Sequence, residues 1–314
     1  MKNKFFTFFV LLLWADNSFS CDFCNNVNGI NPYYAGKNRI AMTYLFQHSV
    51  TDATTHIQPV LARLAKISHS APGTTSGSKE YRSTVDFSIF YHLSDHWAMS
   101  VSLPWQANRM ISDQTITTAW TGDLTLMGVY RLDGGYSNSW FRFILIGAGL
   151  QLPTGHDRLE DDNGTRLPGD QQIGSGSWDV PLNLVWIQAV EKWTINADLF
   201  GKINGTNGFG ERMGTSLSSS LSAAHDLYRD NPSGTAVIGL AGLRAETAEW
   251  DRNNGKKVEN TGYSNLFLQG SLKLVWDTFR WNMTVLTPVA SERPSGSPEE
   301  KTRFSSGVSW EWGE

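Results

Sequence analysis

Residues 81–106 read YRSTVDFSIFYHLSDHWAMSVSLPWQ. Tyr81, Ser83, Val85, Phe87, Ile89, Tyr91 and Leu93 share one parity. Arg82, Thr84, Asp86, Ser88 and His92 share the other, with Phe90 the exception. After Ser94-Asp95-His96 the pattern resumes, with Trp97, Met99, Val101, Leu103 and Trp105 set against Ala98, Ser100, Ser102 and Gln106. Successive side chains of a strand point to opposite faces, whereas a helix repeats near every 3.6 residues, so this is a strand, a tight turn and a strand. The same period recurs near the carboxyl end. Phe279, Trp281, Met283 and Val285 oppose Arg280, Asn282 and Thr284, and Phe304, Val308, Trp310 and Trp312 oppose Arg303, Ser305, Ser309 and Glu311.

Alternation alone fits any half-buried sheet. Three further features select a closed barrel that crosses a membrane. The runs are about ten residues or longer, the length of a tilted spanning strand, against about five or six in soluble sheets. Aromatics stand near run ends (Tyr81, Tyr91, Trp97, Trp105, Trp276, Trp310), where an interfacial girdle needs them. Short and long connections alternate along the chain, as they do when tight turns lie on one side of the membrane and long loops on the other. The fold class is all-β, a transmembrane antiparallel β-barrel of about twelve strands. The spans are roughly 38–48, 80–93, 97–108, 122–132, 139–153, 177–190, 193–204, 211–228, 236–247, 264–276, 279–288 and 303–314. Pro104 and Pro181 interrupt two of these runs and belong at strand ends or irregularities.

Composition agrees. Of 314 residues only 18% are charged and 40% are hydrophobic, while 12% are aromatic and 29 are glycine, which suits a β-rich chain and excludes a polytopic helical membrane protein. The net charge of -4 leaves no basic excess for nucleic acid, so none is expected as a partner. Two cysteines are too few for a disulfide-built scaffold.

Residues 1–20 read as a signal peptide: Lys2 and Lys4, an apolar run from Phe5 to Trp14, then Ser18-Phe19-Ser20 before Cys21. The apolar run is too short to span as a helix. Residues 21–37 form a periplasmic CxxC segment or plug, and 38–314 form the barrel. Cys21 and Cys24 form a small-loop disulfide in an oxidising compartment, or alternatively one half of a metal site or a redox pair. Cys21 directly after the cleavage site is also open to lipidation. Residues 57–67, IQPVLARLAKI, suit a short helix in the first outer loop.

Charged side chains on spanning strands avoid mid-bilayer lipid. The lumen-facing set is therefore Arg82, Asp86, His92, Arg131, Arg142, Asp198, Lys202, Lys273, Arg280, Arg303 and Glu311. The loop from Asp157 to Asp170 holds Glu160, Asp161 and Asp162 but lacks a calcium-loop spacing, and reads as solvated. No GxSxG elbow, HExxH or phosphate loop is present. His92 and Ser94 lie close in sequence without a third catalytic partner, so the chain is not read as an enzyme, although a barrel hydrolase is the third alternative after a CxxC metal or redox protein.

Three motifs occur in order. Gly122-Asp123 opens one strand, Leu152-Pro153-Thr154-Gly155 ends another, and Gly174, Gly176, Ser177 and Asp179 open a third. Together they resemble the outer-membrane transporter family associated with meta-pathway phenol degradation, itself similar in idea to the long-chain fatty-acid transporters. The resemblance covers the middle of the chain directly. It implies a bacterial outer-membrane location and a passive channel for small, hydrophobic or aromatic molecules, with no cofactor. The implied partners are outer-membrane lipid and lipopolysaccharide, barrel assembly machinery and a small-molecule solute. Turn chemistry alone also accounts for these glycines and Pro153. If residues 21–37 plug the lumen, planar-bilayer conductance rises when they are deleted; unchanged conductance rules the plug out.

Overall fold

The computed structural model describes residues 37–51, 78–111, 115–136, 140–161, 164–230, 232–259, 261–294, 297 and 299–313. Cys21, Cys24, the signal peptide, most of the 21–37 segment and residues 57–67 lie outside the described residues. Seventeen strands follow in chain order: β1 (Asn38–Thr51), β2 (Ser78–His92), β3 (Trp97–Ile111), β4 (Thr115–Thr121), β5 (Thr125–Tyr136), β6 (Trp140–Gln151), β7 (Val180–Val190), β8 (Trp193–Ile203), β9 (Glu211–Arg212), β10 (Ser216–Asp230), β11 (Thr235–Ala248), β12 (Arg252–Asn253), β13 (Lys256–Lys257), β14 (Tyr263–Trp276), β15 (Phe279–Glu292), β16 (Glu299–Glu300) and β17 (Arg303–Trp312).

Every spanning pair is antiparallel, and the sheet closes on itself. β1 pairs with β17 from Asn38↔Trp312 to Phe46↔Phe304, and with β2 from Arg39↔Phe90 to Thr51↔Ser78. The remaining order runs β17, β15, β14, β11, β10, β8, β7, β6, β5, β3, β2. β4 and β5 are two parts of one spanning strand and β16 only extends the edge of β1, which leaves twelve strands in the ring. Closure leaves no open edge, the condition for a sheet in lipid. β9, β12 and β13 form a separate small sheet among the loops at one end.

Polarity is inverted relative to a soluble protein. On β1, Ile40, Met42 and Tyr44 are exposed while Arg39, Thr43 and Gln47 are buried. On β2, Phe87, Ile89 and Tyr91 are exposed and Thr84 and Asp86 buried; on β3, Met99, Leu103 and Trp105 are exposed and Ser100, Ser102 and Gln106 buried. The Ser-rich β10 obeys the same rule, with Ser216, Ser218, Ser220 and Ser222 inward and Leu221 outward. One end carries the tight joints at 191–192 and 277–278 and both strand termini, Asn38 and Trp312; this is the periplasmic end of barrels of this kind. Trp97, Trp140, Trp193, Trp276 and Trp310 are exposed there, a girdle at headgroup depth.

The fourth strand departs from the expected 122–132. It begins earlier, as β4, and breaks at Gly122–Leu124. β4 meets β3 at Trp105↔Thr121 and β5 resumes at Ser102↔Thr125, so Gly122, Asp123 and Leu124 stand opposite Leu103 and Pro104. Pro104 has no N–H to give a ladder, and its carbonyl accepts from Gly122 N at 2.7 Å. Pro181 is the second residue of β7, and Pro288 of β15 faces Phe267 at a register shift.

The depth of the outer belt sets a mutational gradient. Leu184→Arg, at mid-strand on the outer face of β7, should cost about 2–4 kcal/mol, and Val190→Arg, at the headgroup end of the same face, roughly 0–1 kcal/mol. Denaturant unfolding in lipid vesicles measures both; equal costs would contradict the assigned belt.

Candidate functional site

The inner wall has three zones, each built by the strand parity. At the periplasmic end, β1, β2, β5, β14, β15 and β17 turn charged residues inward: Arg39, His92, Arg131, Lys273, Arg280 and Glu311. Arg280 grips Glu311 with two hydrogen bonds, Nε to Oε1 at 2.8 Å and Nη2 to Oε2 at 2.5 Å. Arg39 is the direct cross-strand neighbour of Glu311. The backbone N–H of His92 donates to Asn38 Oδ1 at 2.9 Å, which ties the ends of β1 and β2 together.

Toward the outer end the wall carries a buried ion network. Arg303, fully buried, donates Nη1 to Glu246 at 2.9 and 3.1 Å and Nε to Glu300 at 2.5 Å, and lies over the Phe267 ring at 4.6 Å. Arg244 donates Nε to the same Glu246 at 2.7 Å. Asp198 accepts from Ser220 Oγ, and Asp86 from Ser102 Oγ at 2.5 Å. Arg82 pairs with Glu80 at 3.1 Å. Charges removed from lipid are thus paired or hydrogen-bonded inside the wall, within a strand (Arg82–Glu80, Arg244–Glu246) or between strands (Arg303–Glu246), as a buried charge requires.

The third zone is apolar. Val129 of β5, Leu145 of β6, and Val185 and Ile187 of β7 form one buried cluster, with Phe141 packed against it. This explains why β6 is apolar on both faces: Leu145 looks into the barrel and Ile146 out.

Arg142 is a correction to the lumen-facing set. The inward parity of β6 belongs to Phe141, Phe143 and Leu145, so Arg142 is exposed on the outer face. It lies two residues from Trp140 at the strand end, where a long side chain reaches headgroups and water instead of crossing lipid. Among functional residues absent from the sequence set, Arg39, Arg244 and Glu246 carry a signal, because each alternates with outward Ile40, Leu243 or neighbouring apolar positions.

The family-motif residues converge at the outer end. Asp123 accepts from the backbone N–H of Gly155 at 2.8 Å and of Ser175 at 2.8 Å, and from Gln151 Nε2 at 3.1 Å. Thr154 Oγ1 accepts from Leu124 N at 2.8 Å, and Leu152 N donates to Leu124 O at 2.8 Å, with Pro153 between them. Gly155 and Gly174 touch backbone to backbone: a Cβ on Gly155 would lie 2.7 Å from Gly174 Cα, so neither admits a side chain. Asp179 is fully buried, accepting from Ser177 Oγ at 2.7 Å and Gly205 N at 3.0 Å, with Lys202 Nζ at 3.8 Å. Gly176, with φ +67, makes the turn between these two knots. Gly122 completes the break opposite Pro104. The knots moor the loop 152–179 to the strands beneath it.

A second clip holds the same loop. Arg166 donates Nη1 and Nη2 to the two Glu211 carboxylate oxygens at 2.9 and 3.0 Å and Nε to Asp157 O at 2.9 Å, and stacks 3.8 Å over Phe209. Asn207 Nδ2 adds a bond to Glu211 at 3.1 Å. Partial burial alone would raise the Glu211 carboxyl, but the hydrogen bonds from Arg166 and Asn207 and the guanidinium charge outweigh it and hold it below 4.5. No local signal announces this pair, 45 residues apart. Asp161 caps its own turn through Thr165 N at 2.8 Å, and among the described residues no cluster of His, Cys, Asp or Glu could hold a metal. Ser94 Oγ accepts from the backbone of His96 and Trp97 at 3.3 and 3.1 Å, which makes it a turn cap.

No family model matches the chain, and no curated protein matches it by sequence. Solved structures do. The COG4313 outer membrane channel from Pseudomonas putida F1 superposes with a TM-score of 0.64 at 15% identity, over 90% of this chain and 99% of that one. The β domain of the Bordetella autotransporter BrkA follows with a TM-score of 0.49 at 10% identity, covering 88% and 99%, and a Pseudomonas aeruginosa FadL homologue with 0.38 at 8%, covering 88% and 91%. At these identities the first likeness is one of fold. A closed twelve-stranded barrel with an apolar belt is an outer-membrane protein.

The Arg166–Glu211 clip is testable. In Glu211→Gln, trypsin cleavage after Arg166 at neutral pH should speed by about three- to tenfold. Because the folded carboxyl is depressed, the clip's contribution is complete above the ordinary Glu value of 4.5 and is lost as pH falls through the lower folded value. The gap in unfolding midpoint between wild type and variant should therefore close on acidification; a gap that persists would contradict the clip.

Proposed function

We propose that this chain is a passive outer-membrane channel for small molecules with an apolar body. The observation that carries the reading is that the closed barrel turns an aliphatic cluster of Val129, Leu145, Val185 and Ile187 inward, beside inner walls that mix polar, charged and apolar side chains. A barrel wall that only filled space with paired charges would have no reason to turn four aliphatic side chains and Phe141 inward on three adjacent strands. Twelve strands give a bore between small filled barrels and wide porins. The moored loop 152–179 would set access from outside, and residues 21–37, as a plug, access at the periplasmic end. The resemblance to the phenol-degradation transporter family, through Gly122, Asp123, Leu152, Pro153, Thr154, Gly155, Gly174, Gly176, Ser177 and Asp179, supports the same class and favours aromatic solutes. No step of bond chemistry is assigned to any residue.

Vesicles carrying the reconstituted mature protein should take up a small aromatic solute such as phenol faster than a sugar of equal size. Replacing Val185 with Asp should reduce the aromatic flux and leave the sugar flux unchanged. Equal fluxes of both solutes, or loss of both in the variant, would argue against the reading.

A further inference from the structure

Two turns set the register of the small sheet of β9, β12 and β13. Asn254 and Gly255, with φ of +50 and +79, make the two-residue hairpin that joins β12 to β13 and places Arg252 opposite Lys257. Asn207 Oδ1 accepts from the backbone N–H of Phe209 and of Glu211 at 2.9 and 3.0 Å, and Asn254 N donates to Gly210 O at 2.8 Å. These bonds hold β9 against β12 with Arg212 opposite Arg252. Residues directly opposite in an antiparallel pair share a face, so one face carries Arg212, Arg252 and Lys257 in a single row. The other face carries Glu211, Asn253 and Lys256.

The two faces differ in what answers their charge. Glu211 turns to the loop 152–179, where Arg166 holds it. Arg212, the next residue of the strand, belongs to the opposite face. None of Arg212, Arg252 and Lys257 makes an ion pair with a carboxylate among the described residues. Arg252 Nη1 reaches only Gly255 O, at 3.4 Å, and Lys257 Nζ lies 5.3 Å from the centre of the Trp250 ring. Neighbouring Cβ atoms in such a row are about 4.5–5.5 Å apart, and like charges set directly opposite repel. Arg212 and Arg252 are half-buried and Lys257 is exposed, so the row is open to a ligand on one side. An anion laid over it converts the repulsion into shared attraction.

Location selects the anion. β9 lies between β8 and β10, and β12 and β13 between β11 and β14, at the end away from the tight joints 191–192 and 277–278. That end meets the outer leaflet, whose lipopolysaccharide carries phosphate on its sugars. A guanidinium fork matches two phosphate oxygens at once, and an ammonium adds a point charge. Trp250, beside Lys257, supplies an aromatic surface next to the cations. We propose that the row Arg212–Arg252–Lys257 is a binding site for the phosphorylated sugars of lipopolysaccharide. The site rests on the outer-membrane location and is independent of the channel reading.

Calorimetric titration of the full mature protein in phosphatidylcholine nanodiscs tests it, with deacylated lipopolysaccharide as the probe. The same oligosaccharide stripped of phosphate, and inorganic phosphate alone, are the comparison probes. The phosphorylated oligosaccharide should bind at least about tenfold more tightly than either. Arg252→Gln should weaken it about tenfold. Lys79→Gln, which removes an exposed cation from the outer end of β2 on the far side of the ring, should leave it unchanged. Because Arg252→Gln relieves the opposed charges, this variant should unfold no more readily than wild type in the absence of ligand; Lys257→Gln, with the same expected loss of binding, replaces it should it fail to fold. Equal binding of the stripped oligosaccharide, equal weakening by Lys79→Gln, or no binding of the phosphorylated oligosaccharide would overturn the site. Inorganic phosphate binding as tightly as the oligosaccharide would overturn the lipopolysaccharide assignment in favour of free phosphate.

Discussion

Every backbone N–H and C=O at membrane depth needs a partner, because lipid offers none. A sheet meets that demand only by closing, and here β1 does the closing: it pairs with β17 along nine positions and with β2 along thirteen. Once the ring is shut, the pleat fixes the rest. Alternate residues meet lipid or lumen with no choice between, so Ile40 and Met42 must be apolar and Arg39 and Thr43 must find polar company inside. The inverted polarity of the molecule follows from closure.

The inner wall then has to stabilise what closure puts there. Buried Arg303 and Arg244 share Glu246, and Glu300 accepts from Arg303 Nε, so that charges excluded from lipid are paired among β11, β16 and β17. The loop 152–179 is treated alike. Asp123 sits in a break that Pro104 makes tolerable, and three donors from Gln151, Gly155 and Ser175 converge on its carboxylate. One acid at a strand interruption thereby fixes both ends of a long loop, and the mutual contact of Gly155 and Gly174 leaves room for no side chain between them.

The twelve strands were legible because lipid demands a long, strict alternation, and β2, β3 and β17 show it without help from neighbours. The outer end of the fourth strand is not legible in the same way, because Thr115 to Thr121 has little apolar parity and extends the hairpin with β3 beyond the pairing of β5 with β6. The inside of the barrel was harder. A charge on a spanning strand is expected to avoid lipid, but Arg142 stands near a strand end, where the headgroups relieve that demand. Arg244 and Glu246 were legible in the parity of β11 yet stand out only once Arg303 arrives from 57 residues away. Asp123 and the motif glycines were visible as a pattern, but their partners lie 28 to 52 residues off, and only the folded chain shows them as one knot.

The central claim is a lipid-facing and a water-facing parity on the same strand. Single cysteines placed in turn at Thr84, Val85, Asp86, Phe87, Ser88 and Ile89, in a chain with Cys21→Ser and Cys24→Ser and reconstituted in vesicles, test it directly. A lipid-phase quencher should reach a fluorophore at 85, 87 and 89 and spare 84, 86 and 88, where a water-soluble thiol reagent should react. Loss of the two-residue period, or the opposite parity, would contradict the account.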